Sequence, residues 1–288
     1  MPGVYGFNLL KKYKEICIAI FTEYLHTDSA VNWLLVVNKY VFIANFTQKK
    51  IYYIICFPEW DDRLEFICEN HRCITSSLAK IANARVLVIN YRLAPQNQFP
   101  AALQDALAAY LYLLNPPKDA GFEPLNPKNI VICGDSAGGG LSLALGLAIR
   151  DVCDAGLPSC AGIIGLSPWV DLTISTASIL DDECADYIRN MKRGLAIPYV
   201  SPMLAESLGD LPPLLLTAGG DDRFRDEAIY LAHRSSEPTK YKGPSYNAGK
   251  FEKSPFKTST NTTLEIYEEM PHVFQFMEHA FTTKSYGK

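Results

Sequence analysis

Ile130-Val131-Ile132-Cys133-Gly134-Asp135-Ser136-Ala137-Gly138 is the stretch that decides the fold. Its first four residues form a continuous apolar run and read as a buried strand. The small-residue stretch from Ala137 to Arg150 reads as a helix. Between the two stands Gly-x-Ser-x-Gly, the pattern of a nucleophile elbow. Such an elbow reverses strand into helix so sharply that Ser136 is forced into a strained backbone position. The flanking Gly134 and Gly138 make room because they carry no side chain. The turn lifts the hydroxyl above the sheet edge, and the helix that follows aims its first N–H groups at the same point.

Outward from this centre, strands and helices alternate. Ile51–Cys56, Arg85–Asn90, Ala161–Leu166, Pro213–Thr217 and Leu264–Tyr267 read as strands. Pro100–Leu114, opened by its proline, reads as a helix, as do Arg225–Ser235 and Val273–Phe281. The alternation predicts an α/β fold, with a mostly parallel central sheet and helices on both of its faces. A chain of 288 residues suits one such domain over 1–288. Segments 1–50 and 172–210 interrupt the alternation and are expected to form a helical cap or lid. Residues 236–262, rich in Ser, Thr, Lys, Pro and Gly, read as a long exposed loop.

Composition narrows the function classes. Hydrophobic residues make up 48% of the chain, enough for a buried core, and the net charge is −4. Basic residues occur in short pairs such as Lys11-Lys12 and Lys49-Lys50, so nucleic acid is not an expected partner. The eight cysteines form no Cys-x-x-Cys pair and no cluster with zinc-like spacing. Cys56 and Cys133 lie in apolar runs and read as buried small hydrophobes. The set is read as reduced thiols of a cytoplasmic protein. Asn45-Phe46-Thr47 and Asn261-Thr262-Thr263 fit a glycosylation pattern too short to decide anything. The apolar run nearest to membrane length, Val31–Phe46, is broken by Asn32, Asn38, Lys39 and Asn45, so no integral span is expected. Ile16–Phe21 is too short for a clean signal peptide.

A serine hydroxyl becomes a nucleophile only with a base in hydrogen-bond reach and a carboxylate that orients the base. In sheets of this kind the chain order is serine, acid, histidine. His26 and His71 precede the elbow, and His233 and His279 fall in predicted helices. His272, in Glu268-Glu269-Met270-Pro271-His272, follows the last strand, at the loop end where ligand chemistry gathers. The acid is expected after the preceding strand, in Ala218-Gly219-Gly220-Asp221-Asp222-Arg223-Phe224-Arg225-Asp226. Chain order alone does not separate Asp221 from Asp222. Asp226 is expected to open the next helix as a first-turn carboxylate. Arg92 and Asp105 are expected to form an internal ion pair beside Tyr91. Pro168 and Trp169 end a strand near the site, where they either line a substrate pocket or only pack.

Four segments resemble the hormone-sensitive-lipase-like branch of the α/β-hydrolases. They are Asn90-Tyr91-Arg92-Leu93-Ala94-Pro95 with Phe99-Pro100-Ala101-Ala102, then Gly134-Asp135-Ser136-Ala137-Gly138-Gly139, then Asp222-Arg223-Phe224-Arg225-Asp226-Glu227, and last Pro271-His272-Val273-Phe274. The resemblance implies a carboxylic-ester hydrolase that acts on small ester substrates without metal or cofactor. It implies Ser136 as nucleophile, His272 as base, Asp222 as the acid and the Ala137 N–H as an oxyanion donor. Phe224 stands where the family carries leucine. The oligomeric state is left open.

One departure opens a second reading. The family carries a His-Gly-Gly-Gly-type loop after the strand that corresponds to Ile51–Cys56. Here that strand runs into Phe57-Pro58-Glu59-Trp60-Asp61-Asp62-Arg63, and no glycine occurs between Phe7 and Ala120. Loss of one oxyanion donor costs roughly a hundred- to a thousandfold in turnover. The alternative is therefore a catalytically inactive hydrolase fold that binds a small apolar ligand or a protein. An imperfect reading of the gene over residues 1–75 is a third possibility.

Overall fold

The computed structural model describes residues 52–57, 74–75, 77–153, 156–180, 197–241 and 254–276. The expected cap over 1–50, the loop over 58–60, and His26, His71 and His279 lie outside the described residues.

Six strands form one sheet in the order β2-β1-β3-β4-β5-β6, and every pairing is parallel. They are β1 (Tyr52–Phe57), β2 (Ala84–Val88), β3 (Ile130–Asp135), β4 (Gly162–Leu166), β5 (Leu214–Gly219) and β6 (Thr262–Tyr267). Three longer helices connect them: α1 (Ala101–Leu114), α2 (Ala137–Asp151) and α3 (Arg225–Ser236). The chain runs from β1 outward to β2 and then back past β1 to β3. In open sheets of this kind ligands bind at the carboxyl ends of the strands, where the order reverses. Ser136 follows β3 at that place.

The period of two along the strands divides the core between the two faces. Ile55, Phe57, Ile130 and Ile132 pack with Leu103, Leu107 and Tyr110 of α1 and with Leu143, Leu145 and Leu147 of α2. On the other face Ile54, Cys56, Val86 and Cys133 pack with Ala79, from a helical segment at 77–81. Helices thus cover both faces, as the apolar runs predict. Cys56 and Cys133 are buried free thiols, cross-strand partners in the β1–β3 register.

Two expectations are refined. Residues 254–261 form a mostly exposed loop, as read, but Ser254 and Thr260 anchor it in the interior. Thr260 is buried, accepts from the Leu211 N–H at 3.1 Å and donates to the Leu208 carbonyl at 3.0 Å. The Phe256 ring lies under the Arg150 guanidinium at 4.1 Å, and its carbonyl takes the Ser207 hydroxyl. At Ser207 and Thr260 the polar side chains are buried and paired rather than exposed. The helix read over 273–281 begins as a single 3-10 turn, Phe274–Phe276, and the remainder lies outside the described residues. Among the described residues no helix is long and apolar enough to cross a membrane.

Residues 172–210 are described only in part. Ser178 and Ile179 meet the loop after β5, where the Arg223 guanidinium donates to the Ile179 carbonyl at 2.8 Å. Tyr199, Ser207 and Gly209 meet Arg150 and Asp151 at the C-terminal end of α2. That end is about 20 Å from Ser136 at a rise of about 1.5 Å per residue.

Candidate active site

Ser136 has φ 52° and ψ −120°, between β3 and α2. A non-glycine residue there stores about 1–3 kcal/mol of strain. The surroundings hold it there. A Cβ on Gly134 would lie 2.2 Å from the Gly138 carbonyl oxygen, and one on Gly138 would lie 1.8 Å from the Phe57 carbonyl oxygen. The elbow therefore packs against Phe57, the last residue of β1. The Ser136 N–H donates to the Leu166 carbonyl at 2.9 Å, and its own carbonyl accepts from the Trp169 N–H at 2.9 Å. The Ser136 Oγ is buried and has no hydrogen-bond partner among the described residues. Ala137 opens α2, so its N–H lies in the first turn, where no intrahelical acceptor exists.

The loop after β5 and the loop after β6 are locked together. The Gly220 N–H donates to the Tyr267 carbonyl at 2.7 Å, and the Asp221 N–H to the Met270 carbonyl at 3.0 Å. This register turns Asp221 to solvent and buries Asp222. His272 Nδ1 lies 3.1 Å from Asp222 Oδ1, with both side chains fully buried. The structure thus pairs Asp222, and not Asp221, with the histidine. Phe224 N–H donates to the same Oδ1 at 2.8 Å. Burial pushes the Asp222 carboxyl up, but the His272 ring, the Ser167 hydroxyl and the Phe224 N–H outweigh it and hold the carboxyl below its usual range.

An aromatic column backs this pair. The Phe224 ring meets the His272 ring nearly perpendicularly, centroids 4.8 Å apart. Trp169 stacks on Phe224 at 5.6 Å and 13°. Half-buried Trp169 is fixed by an indole N–H donated to the Asp171 carbonyl at 3.2 Å. Pro168 is buried against the elbow helix, where a Cβ on Gly139 would come within 2.9 Å of it.

Two residues that the sequence reading passed over organise the turn after β4. Ser167, fully buried with φ 47°, donates its N–H to the Thr217 carbonyl at 2.7 Å and accepts at Oγ from the Val273 N–H at 3.0 Å. Glu227, fully buried on α3, accepts at Oε2 from the N–H groups of Val170 and Asp171 at 2.6 and 2.8 Å. Burial pushes its carboxyl well above the usual range, and the charges of Asp171 and Asp222 add to that against the two N–H donors. The sequence signals were the position of Ser167 just past a buried strand and the place of Glu227 at the end of the Asp222–Glu227 segment that carries the resemblance.

The remaining candidates are structural. Asp226 lies in the first turn of α3 and accepts from the Ser178 N–H at 2.9 Å. Arg92 meets Asp105 in a forked ion pair, 2.8 Å from Nη2 and 3.0 Å from Nε. His233 lies within α3.

Residues 67–242 match a family model described as the alpha/beta hydrolase fold, and the chain belongs to that family. Within it the chain is hormone-sensitive-lipase-like. An acetyl-hydrolase of Streptomyces hygroscopicus is 34% identical over 221 residues, covering 72% of this chain and 63% of that protein. The carboxylic ester hydrolase LipN of Mycobacterium tuberculosis is 34% identical over 173 residues, 55% of this chain and 46% of that one. The chain thus spans about half to two thirds of the length of these relatives. The crystal structure of an esterase from the bacterial hormone-sensitive lipase family superposes with a TM-score of 0.60 at 29% identity, covering 79% of this chain and 70% of that one.

Proposed function

We propose that this chain hydrolyses small carboxylic esters through an acyl-enzyme on Ser136. The observation that carries the reading is the fully buried His272–Asp222 pair at 3.1 Å, joined through one turn to a serine at φ 52°. Asp222 holds the Nδ1 proton, which leaves Nε2, on the opposite edge of the ring, to receive the Ser136 proton. Ser136 Oγ attacks the ester carbonyl, and the Ala137 N–H together with the first turn of α2 faces the oxyanion. The alcohol leaves with the proton from His272. Water then attacks the acyl-enzyme by the same route and releases the acid. Trp169 flanks the acyl pocket, with Pro168 packed behind it. The carboxylic ester hydrolase among the relatives supports an ester substrate, and the acetyl-hydrolase supports a short acyl group.

The whole chain is read as one domain. Residues 1–50 and 172–210 are read as cap segments within it. Free thiols among the described residues support a reducing, cytoplasmic setting. The net charge of −4 gives no support to a nucleic-acid partner.

The absence of glycine from Phe7 to Ala120 favours a second reading, a ligand-binding hydrolase fold without turnover. Hydrolysis of p-nitrophenyl acetate and butyrate by the wild type and by Ser136→Ala separates the two. Turnover that depends on Ser136 supports the esterase. Equal rates for both proteins refute it.

A further inference from the structure

We propose that Phe224 is a positioning residue of this site: its ring fixes the tilt of the His272 imidazole, and its N–H holds the Asp222 oxygen with which the imidazole pairs. The inference rests on the reading of Ser136, Asp222 and His272 as the reacting set, and adds to it a side chain that acts through His272.

A single hydrogen bond holds only one edge of a ring. The bond between His272 Nδ1 and Asp222 Oδ1, at 3.1 Å, fixes the edge that faces the acid. Nε2, on the opposite edge, swings with any tilt about that bond. Roughly 1 Å of misplacement at reacting groups costs about a hundredfold in rate. A contact on the body of the ring removes this freedom. Phe224 supplies it, nearly perpendicular to the imidazole at 78°, with centroids 4.8 Å apart. Aromatic rings favour this edge-to-face arrangement, so the contact carries a direction as well as bulk.

Phe224 is itself held in place. Its side chain is buried, and Trp169 stacks on it at 5.6 Å. Ile174 and Ile179 belong to the same buried cluster. Phe224 directly precedes α3, and its N–H donates to Asp222 Oδ1 at 2.8 Å. The same oxygen takes the imidazole, so one residue constrains both members of the pair. The Trp169 N–H in turn donates to the Ser136 carbonyl at 2.9 Å. Contacts thus run from the elbow through Trp169 and Phe224 to His272, and they set the base against the nucleophile.

The experiment measures how fast a fluorophosphonate probe labels Ser136 in the wild type, Phe224→Leu, Phe224→Met and His272→Ala, and in each Phe224 variant combined with His272→Ala. Leucine and methionine keep apolar bulk and remove the flat ring. Two variants are used so that the reading survives if one fails to fold. Loss of the aromatic pair corresponds to labelling about two- to tenfold slower. Hydrolysis of p-nitrophenyl acetate should lose kcat by a like factor, with KM within about twofold of wild type. In the His272→Ala background the same substitutions should leave the labelling rate unchanged, because a positioning residue has no effect once the group it positions is gone. Slowing of the same size in both backgrounds, or wild-type labelling and kcat in the Phe224 variants, overturns the role of Phe224 alone. Equal labelling of the wild type and His272→Ala overturns the site reading and this inference with it.

Discussion

Gly219 and Met270 approach so closely that a Cβ on the glycine would lie 1.9 Å from the Met270 carbonyl oxygen. Gly219 ends β5, and Met270 lies two residues before His272. The contact is backbone against backbone, so no rotamer can relieve it. Gly219→Ala is expected to push the histidine loop away from Asp222. Esterase activity should fall at least about a hundredfold, because a displacement of roughly 1 Å at reacting groups costs that much. Melting should drop by an amount equivalent to about 1–3 kcal/mol, the usual cost of overpacking. Hydrolysis and thermal unfolding of the variant check both numbers.

Asp222→Asn keeps the shape but replaces the acceptor at one carboxylate position with a donor. The imidazole then loses the partner that fixes its tautomer. A fall in kcat of about 10³–10⁴ is expected, with KM little changed. The lowered carboxyl of the wild type has a second consequence. Its stabilising effect is complete above the unfolded value of about 3.9 and is lost as pH falls through the folded value. Acid unfolding of the wild type, followed against Asp222→Asn, should show a gap that closes toward low pH.

Glu227 has the opposite sign. Its carboxyl is raised by burial, so the neutral form is favoured in the folded state. That contribution is complete below the unfolded value of about 4.3 and is lost as pH rises through the folded value. Glu227→Gln is neutral at every pH. Its amide nitrogen would replace Oε1, which has no hydrogen-bond partner among the described residues, and so costs about 1–3 kcal/mol. The glutamine variant should therefore be less stable at pH 4 and gain on the wild type as pH rises. Melting temperatures from pH 4 to pH 8 test this.

Arg92 and Asp105 separate charge from backbone. The Arg92 side chain is 48% exposed, so its ion pair is expected to contribute under about 1 kcal/mol and to weaken with salt. Asp105 also accepts the Arg92 backbone N–H at 2.8 Å. Asp105→Ala should thus destabilise more than Arg92→Ala, and the excess should persist in 1 M salt. Urea unfolding at two ionic strengths measures it.

The fold was legible because its signals are local and repeated. Each of β1 to β5 carries an apolar run with buried residues, whereas the edge strand β6 buries none, and Gly134 and Gly138 announce the elbow through a crowding that only glycine permits. Asp222 and His272 were legible by chain order and resemblance. Chain order left Asp221 and Asp222 open and the resemblance chose Asp222; the register of two loops supplies the physical reason, since the bond from the Asp221 N–H to Met270 sets which carboxylate turns inward. Ser167 and Glu227 were not legible. Their partners are backbone N–H groups 106 and 57 residues away, and no spacing in the sequence encodes such a contact. The burial of Thr260 was hidden for a related reason: its hydroxyl satisfies distant backbone groups from within a mostly exposed polar stretch.

The central claim is that Ser136 is activated by His272 and Asp222. Mass-spectrometric mapping of a fluorophosphonate adduct on the intact chain tests it most directly, because phosphonylation requires an activated hydroxyl. The account predicts one adduct, on Ser136, and labelling slowed at least about a hundredfold in His272→Ala. An adduct on another residue, or undiminished labelling of Ser136 without the imidazole, would contradict it.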